Sequence, residues 1–291
     1  MIHYYQVAGL TFSLDLPDTH PAAAHLDNYA PFSRPAPDGP LLFGVTLVGE
    51  DIEGPVEPLF RAREESGEPV VGLFRHGDGY LAEFAPVPEA PVCGRFAFSA
   101  DFRRGRLFTS GSPSAQAFAV NNALMLLFAF SSAAFSALEM HASVVTCGGR
   151  GILFLGRSGT GKSTHSSLWL KYIEGTKLLN DDNPVLRITD GCARVYGSPW
   201  SGKTPCYKDR DVPVGAIVRL RQAPENRIAR LGTVAAYASV MASCSGFRPF
   251  HDITDAQHQT LSAIATDVPC YQLDCLPDEA AARLCKQTVD G

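Results

Sequence analysis

The 291-residue chain is short of charge, with 19% Asp, Glu, Lys and Arg, and its acids outnumber its bases by 30 to 25. A formal charge of −5 leaves no basic footprint, so a general grip on nucleic acid is excluded and any anionic ligand must be held by local groups. No CxxC pair occurs among the cysteines at 93, 147, 192, 206, 244, 270, 275 and 285, and no histidine stands at a zinc-finger offset from them. Scattered thiols without a disulfide framework point to a reducing, cytoplasmic setting. The start, MIHYYQVAGLTFSLDL, lacks the charged segment and long apolar run of a signal peptide. Residues 1–110 also lack an internal repeat.

One stretch has no charge at all. Residues 117–138, AFAVNNALMLLFAFSSAAFSAL, are long enough to cross a bilayer. Asn121, Asn122, Ser131, Ser132 and Ser136 interrupt the apolar surface, and no basic cluster flanks either end to set an orientation. The expectation is therefore no membrane span but a helix over about 115–139, buried on most of its surface at a junction of domains or subunits.

What is present centres on residues 151–170, GILFLGRSGTGKSTHSSLWL, a short apolar run that meets a glycine-rich turn and opens into a helix. Gly156, Gly161, Lys162 and Ser163 fit the GxxxxGK[ST] phosphate-binding pattern, with Ser158, Gly159 and Thr160 inside the loop and Thr164 just after it. Glycines let the backbone wrap so that successive N–H groups face phosphates, and a helix start adds its positive end. Lys162 would neutralise the terminal phosphates of ATP. Ser163 would supply a hydroxyl oxygen to Mg²⁺, a hard ion usually held together with substrate phosphates.

A second apolar segment, KLLNDDNPVLRI, begins two residues after Gly175 and carries Asp181 and Asp182 at the end of the pair Leu178 and Leu179. Successive strand residues point to opposite faces, so the two carboxylates have different tasks. One would face the metal, and the other could take a proton from an acceptor hydroxyl. Further on, CARVYGSPWSGKTPCYKDRDV starts as a strand and becomes a loop with Lys203, Lys208 and Arg210. Lys203, after the Ser201–Gly202 hinge, is placed to close over a triphosphate, although a solvated basic loop reads equally well. Trp200 could anchor the loop or stack on a base.

Residues 1–110 read as mostly extended: an antiparallel sheet domain with hairpin turns at 76–79 and 103–105 and a solvated connection at 61–68. No catalytic constellation stands out there. After Val212 the expectation is a buried strand, a short strand, helices near 233–243 and 254–265, a strand at 268–275 and a last helix opening at ProAspGluAla.

The stretch 140–188, from MHASVV to the strand VLRI, resembles the core of the HPr kinase/phosphorylase family and the related fold of ATP-dependent phosphoenolpyruvate carboxykinase. His141 on the strand before the loop, the GlyLysSer at 161–163, and Asp181 with Asp182 one helix later match that family's elements in order. The resemblance implies that Asp181 is the base on a serine hydroxyl, that Asp182 helps hold Mg²⁺, and that His141 lies close to the reacting phosphate.

The expected architecture is α/β: a β-rich N-terminal domain over 1–113, an apolar linking helix over 114–139, and a phosphate-loop, carboxykinase-like nucleotide-binding domain over 140–291. The expected activity is an ATP- and Mg²⁺-dependent kinase acting on a hydroxyl, foremost serine, of a small protein, a peptide or a metabolite. A regulatory nucleotide-binding module without turnover and a carboxykinase-like lyase are the rival readings. The resemblance and the apolar helix are compatible with a homo-oligomer.

Overall fold

A computed structural model describes residues 1–54, 56–61, 69–202, 204–246 and 250–290. The chain divides into two compact units, Met1–Ser131 and Ser132–Gly291. Most of the connection at 61–68, and Lys203, lie outside the described residues.

The first unit is a mixed sheet covered by one helix. Its strands are β1 (Ile2–Val7), β2 (Leu10–Asp15), β3 (Ser33–Arg34), β4 (Gly44–Leu47), β5 (Glu57–Arg61), β6 (Val70–His76), β7 (Gly79–Ala85), β8 (Gly94–Phe98) and β9 (Arg104–Thr109). Among the described residues they form nine strands in the order β3-β1-β2-β4-β9-β8-β7-β6-β5. The purely antiparallel expectation is corrected here, because β4 runs parallel to both β2 and β9 and so closes a gap that no hairpin could close.

The 76–79 hairpin turn stands, with Gly77 at φ +55° between the paired His76 and Gly79. The turn expected at 103–105 lies just upstream instead. Asp101 Oδ1 accepts hydrogen bonds from Ser99 Oγ and the Arg103 amide, and Phe102 takes φ +57°, which leaves Arg104 and Gly105 inside β9.

Helix α1 (Pro113–Ser131) buries Val120, Leu124, Leu127 and Phe128. Phe128 meets Phe12 edge-on, and Phe12 stacks on Phe43 at 4.9 Å between centroids. A Cβ on Gly94 would stand 2.5 Å from the Ala119 Cβ, so glycine is what lets α1 approach β8. Asn121 and Asn122 donate back to the carbonyls of Ala117 and Phe118, and Ser131 donates to Phe102 O.

The helix ends eight residues before the expected 139. A 3₁₀ turn at Ser132–Phe135 and Ser136 at φ +55° break it, and the next residues become a strand of the second unit. The charge-free run is thus not one element, and α1 is part of the first unit rather than a separate linker. With the turn that follows, it is the one segment among the described residues long and apolar enough to cross a membrane, and more than half of its most apolar 18 residues are buried.

The second unit contains β10 (Ala137–Glu139), β11 (Ala142–Cys147), β12 (Arg150–Leu155), α2 (Lys162–Tyr172), β13 (Lys177–Asp182), β14 (Val185–Thr189), β15 (Cys192–Tyr196), β16 (Asp211–Gln222), β17 (Arg227–Arg230), α3 (Thr233–Met241), α4 (His251–Asp267), β18 (Cys270–Cys275) and α5 (Glu279–Asp290). The stretch 177–188 is two strands, because Asn183 and Pro184 interrupt it.

Long β16 joins two groups of strands. Its start pairs with β15, and its later residues lie parallel to β12 and β18. Around the loop the order is β13-β11-β12-β16, with β18 beyond β16. One core, with Leu153, Leu155 and Ile217, takes in Ala236 and Val240 of α3 and Leu261 and Ile264 of α4. The other, with Phe154, Trp169 and Val218, takes in Ala282 and Cys285 of α5. Among the described residues the protein is therefore mixed α/β with two sheets.

Candidate active site

Strand β12 is buried from Gly151 to Leu155 and delivers the chain to Gly156. The turn that follows closes with the Thr160 amide donating to Arg157 O. Gly159 at φ +76° and Gly161 at φ +105° occupy the left-handed region that side chains disfavour. Gly161 caps α2 without a side-chain hydrogen bond, and no acid sits in the first turn. The first amides of the helix are thus left to a ligand or water.

The inner face of α2 carries Lys162, His165, Ser166 and Trp169. This i, i+3, i+4, i+7 stripe is what turns Lys162 inward. Ser166 shares a 2.6 Å hydrogen bond with Ser143 of β11, and Trp169 Nε1 donates to His165 Nε2. Burial lowers His165 to about 4, so it is a neutral acceptor in the core beside the Phe154 ring.

Lys162 Nζ lies 2.8 Å from His141 Nε2, 3.0 Å from Gly156 O and 3.4 Å from Arg157 O. On its other side His141 Nδ1 lies 2.9 Å from Asp182 Oδ1. An ammonium has only donors, so Nε2 accepts and the ring proton sits on Nδ1, facing the carboxylate. Burial lowers the Lys162 pKa, and the charges of Asp182 and Asp181 act against that shift.

Asp181 is 3% exposed, and neither of its carboxylate oxygens has a hydrogen-bond partner. A buried orphan carboxylate is costly, and functional sites are where such groups persist. Asp182 is one-third exposed. The opposite-face expectation thus agrees with one aspartate buried and the other in contact with His141.

Ser158, Gly159, Ser163 and Thr164 are exposed along the loop and the helix start. The structure brings His141, Lys162 and Asp182 into contact and puts Asp181 within electrostatic reach of Lys162. Ser163 and Thr164 stand beside this group in the first turn of α2.

The segment after β15 is moored here. The Ser201–Gly202 hinge packs against the aspartates: the Gly202 amide donates to Asp181 O, and a Cβ at 202 would stand 2.7 Å from that oxygen. Trp200 is 4% exposed, which makes it an anchor and removes it as a stacking surface for a base. Lys208 Nζ donates to Leu178 O.

Sequence reasoning missed two groups. Fully buried Asn180 donates to Ser198 Oγ and Trp200 O and accepts from the Asp182 amide, so it joins the moored segment to β13. Its position two residues before Asp182, on the same strand face, was the available signal. Glu139 is 2% exposed, and its Oε1 has no partner. Burial, and then the charge of Asp182, push it up to about 8. No local signal marked it, because β10 lay inside the expected helix.

No family model matches the chain, and no curated protein matches it. Among solved structures the chain is similar to an Hpr(Ser) kinase/phosphatase from Coxiella burnetii, with 14% identity and a TM-score of 0.30, over 53% of this chain and 99% of that one.

Proposed function

We propose that the second unit is an ATP- and Mg²⁺-dependent phosphotransferase that moves the γ-phosphate to a hydroxyl, foremost a serine, of a small protein, a peptide or a metabolite. The observation that carries this reading is Asp181, a buried carboxylate with both oxygens unpartnered, at the end of a strand beside the Lys162–His141–Asp182 chain. A site for group transfer needs a base kept free of competing hydrogen bonds, and a structural carboxylate does not.

The donor set also fits the ion. Asp182 and the Ser163 hydroxyl offer hard oxygens, and no group of three His, Cys, Asp or Glu able to hold a metal occurs among the described residues. That suits Mg²⁺, which is held by one or two protein oxygens plus phosphates and water. When bound there, the ion would neutralise charge on the β- and γ-phosphates.

The chain's own groups do the rest. Lys162 leaves the loop carbonyls for the phosphates, and Asp182 holds the His141 ring beside them by its Nδ1–H. Asp181 takes the proton of the attacking hydroxyl. The exposed amides at the start of α2 cradle the phosphates.

The test is transfer of label from γ-labelled ATP with Mg²⁺ into proteins and metabolites of a cell extract, using wild type, Lys162→Ala and Asp181→Asn. Labelled product with wild type, reduced by about 10²–10⁴-fold in Asp181→Asn, is expected. Tight ATP binding that survives Asp181→Asn with no product in any fraction would instead make the unit a regulatory nucleotide-binding module. Phosphoenolpyruvate formed from oxaloacetate would make it a lyase.

A further inference from the structure

Strand β9 is the fifth of nine strands in the first unit, so its charges do not guard a sheet edge. Its residues alternate. Gly105 and Leu107 are buried, and Arg104 and Arg106 are exposed on the opposite face. The register sets what stands beside the two arginines: Gly44 and Thr46 of β4 lie opposite them on one side, and Ala97 of β8 lies opposite Arg106 on the other. A Cβ on Gly44 would stand 2.9 Å from Ser13 Oγ, so the place beside Arg104 stays bare. With such short neighbours the face sinks around the arginines into a cleft of about 920 Å³.

Their pairing also sets them apart. Arg95 of the same sheet pairs with Asp51 and Glu83, and Arg75 pairs with Glu57. Among the described residues no carboxylate forms an ion pair with Arg104 or Arg106. The charge of Arg104 reaches Asp101, but that carboxylate is already held by Ser99 Oγ and the Arg103 amide. Acids line the cleft away from β9: Asp15 of β2 on one side, and Asp78 and Asp101 in the turns on the other. The cleft is therefore positive along β9 and negative to either side of it.

We propose that this cleft binds an extended acidic peptide segment whose carboxylates occupy alternate positions. The site lies wholly within the first unit, so it stands whether or not the second unit transfers phosphate. Spacing is the first argument. Side chains on one face of a strand repeat every second residue, about 6.6–6.8 Å apart, and an extended peptide lying along β9 meets Arg104 and Arg106 in that same step. Each guanidinium fork can take one carboxylate through two parallel hydrogen bonds. Charge is the second argument. Asp15, Asp78 and Asp101 repel anions spread across the sheet, which selects a single line of carboxylates over a broad polyanion such as nucleic acid. The cleft has the volume of a ligand site and exceeds what one small dicarboxylate would fill.

Fluorescence anisotropy on the full chain tests this with labelled decapeptides of serine and threonine that carry two glutamates, placed either two or three positions apart. The first spacing puts both carboxylates on one face of an extended chain, and the second puts them on opposite faces. Wild type is expected to bind the first peptide about tenfold more tightly than the second. Arg104→Ser/Arg106→Ser is expected to lose that preference. The charge-matched control Arg150→Ser/Arg283→Ser, in the second unit, is expected to keep it.

Equal affinity of wild type for the two peptides would overturn the proposal, and that comparison needs no variant to fold. A loss in the charge-matched control as large as in Arg104→Ser/Arg106→Ser would overturn it as well, by showing that only net charge matters. Glutarate displacing the peptide at the peptide's own Kd would make the ligand a small dicarboxylate. Tighter binding of a double-stranded oligonucleotide, abolished in Arg104→Ser/Arg106→Ser, would make it a nucleic acid. Either result would overturn the peptide site.

Discussion

Among the described residues, the first unit buries only two polar side chains, Thr11 and Ser13, whereas the second buries Glu139, Lys162, His165, Asn180, Asp181 and Gln257 besides several serines and a threonine. The contrast extends to satisfaction. Among the described residues, the buried side-chain oxygens without a partner, on Glu139, Thr176 and Asp181, belong to the second unit. The first unit spends its interior on rings: Phe12 on Phe43, Phe96 near Phe98, and Phe102 edge-on to Phe130. Burial there is almost wholly favourable, while the second unit retains groups whose desolvation opposes folding. Groups that cost stability are what the proposed site would need, and the first unit has none of them among its described buried side chains.

The largest expected effect sharpens the contrast from the apolar side. Phe12→Ala removes a fully buried ring between Phe43 and Phe128 and should cost about 3–5 kcal/mol of the first unit's stability, read by chemical denaturation. Phosphate transfer per folded molecule should stay at the wild-type level. A loss below about 1 kcal/mol would mean that the first unit's core is not the close-packed one described.

Next comes pH. Glu139 holds its proton up to about 8 in the folded unit, against 4.5 as the ordinary value. The unfolded chain releases that proton first. Stability is therefore full below the ordinary value and declines as the pH rises toward 8. Glu139→Gln should abolish this decline, with an advantage over wild type of roughly 4 kcal/mol near pH 8. Parallel losses in both proteins between about pH 5 and 8 would show that Glu139 is not the group responsible.

Smallest is Asn180→Ala, which removes the hydrogen bonds to Ser198 Oγ and Trp200 O and the one from the Asp182 amide, and should cost about 1–3 kcal/mol. Because the residue moors Trp200, its loss should also shift tryptophan emission. An unchanged spectrum with unchanged stability would break the link between β13 and the segment that carries the Ser201–Gly202 hinge.

Local chemistry was legible. The glycine-rich phosphate loop and the two-residue turn at Gly77 and Asp78 act within a few residues, so spacing alone exposes them, whereas the break at Asn183 and Pro184 was read through as one strand. The parallel placement of β4 was not legible, since it depends on strands far apart in sequence. The end of α1 was hidden for a related reason. The run through Ser132 and Ser136 has the composition of a buried helix, and only pairing of β10 with β14 makes it a strand.

The sequence by itself determined the glycine turn, the lysine and hydroxyls that follow it and the adjacent aspartates, because each needs only its neighbours. Tertiary structure decided which aspartate is buried without a partner, that His141 bridges Lys162 and Asp182, that Trp200 faces the core, and that Arg104 and Arg106 line one cleft. Burial and electrostatic environment are properties of surfaces brought together from distant segments, and no local pattern carries them.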